Sequence, residues 1–215
     1  TSSVRFDITA FYSDLRDLIV GQEDRFAFQS GPPNFGERDT DDYANAGAGA
    51  VAGLETQVKY EGANTIAMFS GTLSRSTRVN RAGETRLFTY DQPYLLNGIV
   101  SHQFVNNWRA GVRVRYGAGN PYTPVVNRIY NLNNRQFLPI YGDSDSGRLP
   151  PFFSLDVRID KDFVFNNWTL TAYTDIQNLS NAVNVEIMQW SRDYTQEEPI
   201  QGLPIFPAFG LRGEF

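Results

Sequence analysis

His102 is the only imidazole in the chain, and a protease or acyl hydrolase would need such a group as general base beside a nucleophile or an activated water. Two-residue parity places it with Val100 and Phe104, close to an Asn-Asn turn. That position suits a boundary residue better than a catalyst, so the chain is read as a non-enzyme. The absence of cysteine removes disulfides, thiolate metal sites and cysteine nucleophiles, and a single histidine cannot build a histidine-based metal cluster. Asp143 and Asp145 in DSDSG are two residues apart and can aim oxygens at one hard cation, with Gly147 permitting a sharp bend, as at the start of a calcium loop. The bidentate Glu expected downstream is not there. An acidic turn is the commoner explanation, and no metal or cofactor is assigned.

Two further groups of side chains suit binding rather than bond making. Arg109, Arg113 and Arg115 fall on alternate residues and form a basic ladder on one strand face. Its natural partners are carboxylates on neighbouring strands, with an anionic ligand as the second option. Tyr122, Tyr130, Phe137, Tyr141, Trp190 and Tyr194 lie in long connecting segments, placed either to stack on a ligand or simply to pack the loops. YGAGNPYTPV at 116–125 is neither a phosphate loop nor a dinucleotide fingerprint, since no helix follows it. With 19 Lys and Arg against 24 Asp and Glu, and no dense basic run, nucleic acid is not an expected partner.

The elements that carry these residues follow a period of two from end to end. Val4, Phe6, Ile8, Ala10 and Tyr12 share a face opposite Arg5, Asp7 and Thr9. Leu54, Thr56, Val58 and Tyr60 alternate with Glu55, Gln57 and Lys59, and Phe153, Leu155, Val157 and Ile159 with Ser154, Asp156, Arg158 and Asp160. Strands are predicted near 4–20, 49–60, 64–78, 93–105, 108–118, 151–165, 168–180 and 204–215. Tight connections at 61–64, 105–107 and 165–167 take turns with long ones at 21–48, 79–92, 119–150 and 181–203. An up-and-down antiparallel sheet puts all the tight turns at one end and all the long loops at the other. HQFVNNW at 102–108 and KDFVFNNW at 161–168 repeat an aromatic, an Asn pair and a Trp. Asn tolerates left-handed backbone angles, which suits both turns.

Alternation also fits a soluble sandwich or lipocalin-like barrel with its apolar face inward. Strand length, the sorting of loops by length, and aromatics beside the tight turns favour the opposite orientation, with the apolar face on lipid and the polar face on an enclosed interior. Tyr60, Phe104, Trp108, Phe165, Trp168 and Phe215 then form a row at one membrane boundary. Glu55, Lys59, Arg109, Arg113, Arg115, Asp156, Arg158, Asp160 and Arg212 face the interior.

FDITAFYSDLRDLIV, then NAGAGAVAGLETQVKYEG with Asn45, Gly47, Gly53 and Glu55, resembles the barrel of TonB-dependent outer-membrane receptors. SLDVRIDKDF, WTLTAYTDIQNLSNAVNVE with Asn178 and Leu179, and FGLRGEF ending in Phe215 resemble the last three strands of that family. The resemblance implies an all-β transmembrane barrel of about 22 strands around a plug, of which residues 1–215 supply a single region of about eight strands without the plug. It implies an integral protein of a Gram-negative outer membrane, with the carboxyl terminus and tight turns in the periplasm. Its partners would be outer-membrane lipid, the remaining strands and plug from the same or a separate chain, and TonB through that plug. The outer loops, 119–150 and 181–203 above all, would capture a scarce nutrient such as a siderophore, cobalamin or glycan. The alternative is a self-closed eight-stranded barrel with a structural or adhesive role, identified by pairing of 4–14 with 206–215. A soluble ligand-binding barrel or sandwich ranks third.

Overall fold

A computed structural model describes residues 2–21, 43–79, 83–133 and 135–215. Its strands are β1 (Ser3–Gly21), β2 (Tyr43–Glu61), β3 (Thr65–Val79), β4 (Thr85–Leu87), β5 (Tyr94–Gln103), β6 (Trp108–Gly117), β7 (Pro121–Tyr122) and β8 (Val125–Asn131). They continue with β9 (Gln136–Tyr141), β10 (Gly147–Arg148), β11 (Phe152–Val164), β12 (Thr169–Gln177), β13 (Val185–Trp190), β14 (Glu197–Gln201) and β15 (Phe206–Glu214). The main sheet runs β1-β2-β3-β5-β6-β11-β12-β15, every neighbour antiparallel, with β4 added at the outer end of β3. This is the predicted all-β, up-and-down fold of the barrel type, and each predicted strand lies on a strand of this path. No helix among the described residues is long and apolar enough to cross a membrane.

The tight connections 61–64, 105–107 and 165–167 do alternate with the long ones. Part of the long connection predicted at 21–48 lies outside the described residues. The segments expected as plain loops at 119–150 and 181–203 carry hairpins of their own, β8 with β9 and β13 with β14, and β7 pairs with β10. Their strands are only two to seven residues long, and Pro121, Pro124, Pro139 and Pro199 break the periodicity that exposes long strands in a sequence.

The two Asn-Asn turns differ despite their shared sequence. Asn106 and Asn107 are both left-handed, at φ 58° and 59°, in a three-residue connection closed by Phe104 N–H to Trp108 C=O at 2.8 Å. The second closes one residue sooner, with Phe165 N–H donating to Trp168 C=O at 2.9 Å, and neither Asn166 nor Asn167 has a positive φ. The extra residue in the first loop demands the left-handed pair.

Burial is inverted relative to a water-soluble protein. The buried polar side chains are Asp91, Ser154, Asp156, Asp160, Thr171, Asn178 and Asn184, whereas only Ala118 and Leu149 are buried hydrophobics among the described residues. Val4, Phe6, Ile8, Phe69, Leu73, Val112, Ile159, Phe209 and Leu211 are exposed on one face. An exposed apolar surface of this extent needs a partner or a solvent of matching polarity. On β1 the apolar set runs from Val4 to Tyr12 and stops at Asp14. At about 3.4 Å per residue and a tilt of ~40° it spans roughly 20 Å, close to the ~25 Å apolar band of a membrane barrel.

The sheet does not close on itself. β1 and β15 are the two ends of the path and no ladder joins them, so the pairing of 4–14 with 206–215 that would mark a self-closed eight-stranded barrel is not formed.

Candidate functional site

The polar face of β6, β11, β12 and β15 is an ion-pair lattice created by register. Antiparallel pairing sets Arg113 opposite Asp156, Arg109 opposite Asp160 and Arg158 opposite Asp175. Asp156 is the hub. Its Oδ2 accepts from Arg113 Nε at 2.8 Å and Nη2 at 2.7 Å, with Arg115 Nη2 at 3.7 Å; its Oδ1 accepts from Ser154 Oγ at 2.6 Å and the Asn178 N–H at 2.9 Å. Arg158 reaches Asp160 at 2.8 Å and Asp175 at 3.7 Å, and Arg109 reaches Asp162 at 3.7 Å. Tyr173 lies across Gly210, where any Cβ would sit 2.3 Å from its ring, and the Arg158 guanidinium stands 4.1 Å over that ring. Arg212 pairs with Glu214 at 3.1 Å and Lys59 with Glu61 at 2.5 Å, while Glu55 lies in register between Thr9 and Thr72. The Arg109, Arg113 and Arg115 ladder is therefore occupied by neighbouring carboxylates in this structure.

Asn178 ties this lattice to the outer rim. It is left-handed at φ 49°, its Nδ2 donates to the carbonyls of Ala182 and Leu203 at 2.9 and 3.1 Å, and its Oδ1 accepts the Ala182 N–H at 3.0 Å. Both ends of the segment carrying β13 and β14 are thus pinned at one residue. Asn184 continues the pinning, its amide pairing with the Phe153 N–H and C=O at 2.8 Å each, as a neighbouring strand would. Asn178→Ala is expected to weaken loop closure by about 1.5 kcal/mol, raising proteolytic cleavage within 179–204 roughly tenfold without loss of the main sheet. Cleavage unchanged from wild type would refute the pin.

A second clasp went unread in the sequence. Asp91 Oδ1 accepts the Ser76 N–H and its Oδ2 accepts from Arg148 Nη2, both at 2.7 Å. Arg148 Nη1 also donates to the carbonyls of Asp91 and Gly119 at 2.7 and 2.8 Å. One guanidinium thereby joins three outer segments that are distant in sequence, and no local pattern announces such a pairing.

The candidate aromatics sit on separate small sheets. Tyr122 is on β7 opposite Gly147, Tyr130 on β8 is 5.0 Å from the ring of Phe137, Tyr141 ends β9, and Trp190 on β13 pairs with Glu197. Tyr194 occupies the β13–β14 turn at φ 54°. Burial pushes the phenols of Tyr122 and Tyr141 up, with Glu197 adding to the first shift and Tyr194 to the second. Arg128 fastens these hairpins together, donating to the Asp193 carbonyl and pairing with its carboxylate at 3.3 Å.

Asp193 accepts from Thr195 Oγ1 at 2.7 Å and Ser191 Oγ at 2.8 Å, and these bonds lower its carboxyl from 3.8 to about 2. A carboxyl with a lowered folded pKa contributes stability above its unfolded pKa and loses it as pH falls through the folded value. The β13–β14 turn should therefore hold above pH ~4 and loosen toward pH ~2, checked by hydrogen exchange at the Thr195 and Gln196 amides. Exchange rates that follow intrinsic acid chemistry alone across that window would contradict this.

Both oxygens of Asp145 lie 3.3 Å from the Thr89 hydroxyl, and its own N–H donates to Thr123. Asp143 C=O accepts the Ser146 N–H in the same turn. Among the described residues no group of three or more His, Cys, Asp or Glu is arranged to hold a metal ion. His102 Nδ1 is 2.7 Å from Thr65 Oγ1 on the apolar face, and its ring meets Phe104 edge-on at 4.4 Å.

At the tight-turn end, Phe165 stacks on Trp168 at 4.7 Å and Trp168 on Phe215 at 5.8 Å. Trp108 lies under Lys161, and Tyr60 packs over Gly62. All six aromatics of the expected boundary row are at this end.

No protein family model matches the chain, and no curated protein does. A structure search finds likeness to the crystal structure of the closed form of the ferric-catecholate import receptor Fiu from E. coli K12, with a TM-score of 0.56 and 17% identity. The match covers 97% of this chain and 25% of that receptor, so the chain spans about a quarter of the length of the protein it resembles. At that identity the likeness is one of fold.

Proposed function

We propose that the chain forms strands and outer loops of a TonB-dependent receptor in a Gram-negative outer membrane, serving uptake of a scarce nutrient such as a siderophore, cobalamin or glycan. The observation that carries this reading is the inverted burial of an open antiparallel sheet, with ion pairs on its inner face and a predominantly apolar outer face. The sequence resemblance and the fold shared with an import receptor support it.

In this reading the edges of β1 and β15 pair with further strands, because lipid cannot hydrogen-bond an open backbone edge. The ion-pair lattice lines the bore and contacts the plug. Its charges are compensated within the wall, so plug movement need not strand a buried charge in a medium of low dielectric. Tyr122, Tyr130, Tyr141, Trp190 and Tyr194 present stacking surfaces at the outer end, and the Asn178 and Asp91–Arg148 clasps hold the loops that carry them. Transport then consists of binding, plug rearrangement and release, with no covalent step.

The test is ligand binding by the intact protein folded in detergent micelles, with a ferric catecholate, cobalamin and an oligosaccharide as separate probes. Saturable binding of one of them, lost on deletion of the β13–β14 hairpin, is the expected result. A folded barrel that binds none would overturn the transport reading while leaving the architecture intact.

A further inference from the structure

We propose that the apolar face at the tight-turn end binds one two-chain anionic phospholipid, its phosphate on Lys161 and one acyl chain in each of two grooves beside a Trp108–Ile159 ridge. The proposal rests on the membrane reading above and adds a defined lipid site to it.

Lys161 is the anomaly that points there. The cations of the inner face in this region, Arg109, Arg113, Arg115, Arg158 and Arg212, each have a carboxylate within 4 Å. Lys161 lies on the opposite face between Ile159 and Phe163, and no carboxylate among the described residues pairs with it. Its Nζ donates to the Asn106 carbonyl and stands 5.3 Å from the Trp108 ring and 5.7 Å from that of Phe163. An ammonium has three N–H donors, so donors remain for a phosphate oxygen.

Register builds the grooves. One row across the sheet reads Trp108, Lys161, Ala172, Leu211; the next, one step further from the turns, reads His102, Ala110, Ile159, Thr174, Phe209. Small side chains at Ala110, Ala172 and Thr174 alternate with large ones, leaving two channels. The first, about 410 Å³, is floored by Ala110 and walled by Phe104, Trp108 and Ile159. The second, about 650 Å³, is floored by Ala172 and Thr174 between Ile159 and Phe163 on one side and Phe209 and Leu211 on the other. Trp108 and Ile159 line both. The channels meet where Asn106, from the first, accepts the hydrogen bond of Lys161, from the second. Two apolar channels converging on one uncompensated cation, beside a Trp of the kind that settles at headgroup depth, match two acyl chains joined at a phosphate. A single-chain apolar ligand would leave one channel and the ammonium unmet.

The test uses the intact protein in phosphatidylcholine vesicles carrying either brominated phosphatidylglycerol or brominated phosphatidylcholine. Quenching of Trp108 is isolated as the difference between wild type and Trp108→Phe. Phosphatidylglycerol is expected to reach Trp108 with an apparent affinity about fivefold higher, the factor one cation contributes near an anionic lipid surface. Lys161→Gln should bring the ratio to one, Lys161→Arg should keep it, and Ala172→Phe should lower it by filling the wider channel. Equal quenching by both lipids in wild type, or a preference that survives Lys161→Gln, overturns the site while leaving the membrane reading standing. If neither lipid quenches Trp108, this face does not meet hydrocarbon and both proposals fall.

Discussion

Ile8→Arg is expected to cost the folded protein about 2–4 kcal/mol in a bilayer, the penalty for a cation near the middle of a lipid-facing strand. Ile8 is 59% exposed and central in the apolar run from Val4 to Tyr12. In water, a substitution at so exposed a place lies within about 0.5 kcal/mol of neutral, so the two solvents predict different outcomes. Thr9→Arg, one residue along and on the opposite face, serves as the control and should change stability little. Urea unfolding of both variants in phosphatidylcholine vesicles measures the contrast. A near-neutral Ile8→Arg would mean that this face does not lie in hydrocarbon.

Asp156→Ala should remove about 2–3 kcal/mol, the second largest effect expected. The carboxylate is 5% exposed and receives two contacts from Arg113 and one each from Ser154 and Asn178. Removing one member of a buried pair typically costs about 3–5 kcal/mol. The Arg113 side chain, however, retains 45% exposure and can recover water, which lowers the figure. Asp156→Asn should recover part of the loss, because an amide oxygen still accepts the Asn178 N–H. Equilibrium unfolding gives the global cost, and proteolysis between 179 and 204 shows whether the rim loosens with it. A loss below about 0.5 kcal/mol would identify the pair as one of the many ion pairs that contribute nothing measurable.

The architecture was legible because its signal is local. A two-residue period over runs such as Val4–Tyr12 and Phe153–Ile159 assigns strand and face together, and the succession of short and long connections assigns the up-and-down order. The face of Arg113, Asp156 and Arg158 followed from the same parity. The hairpins within 119–150 and 181–203 were not legible, since their strands are too short to show a period and prolines interrupt them. Nor did a shared Asn-Asn sequence specify a shared turn, because loop length, set by where each ladder ends, fixed the backbone at Asn106 and Asn107.

By itself the sequence determined which residues share a side of each regular strand run, since within such a run a side chain's face depends only on its position along its own chain; the register shift between Leu15 and Leu18 of β1 is not written in that pattern. Only the tertiary structure decided which partner each residue meets: Arg113 with Asp156, Asp91 with Arg148, Asn178 with the far end of its own loop, and Lys161 with no carboxylate among the described residues. These contacts depend on the register between strands and on the return of loops separated by up to 57 residues, distances over which no periodicity carries information. The open edges at β1 and β15 belong to the same class. Pairing parity is written along a strand, but whether two strands meet is settled only by the curvature of the sheet between them.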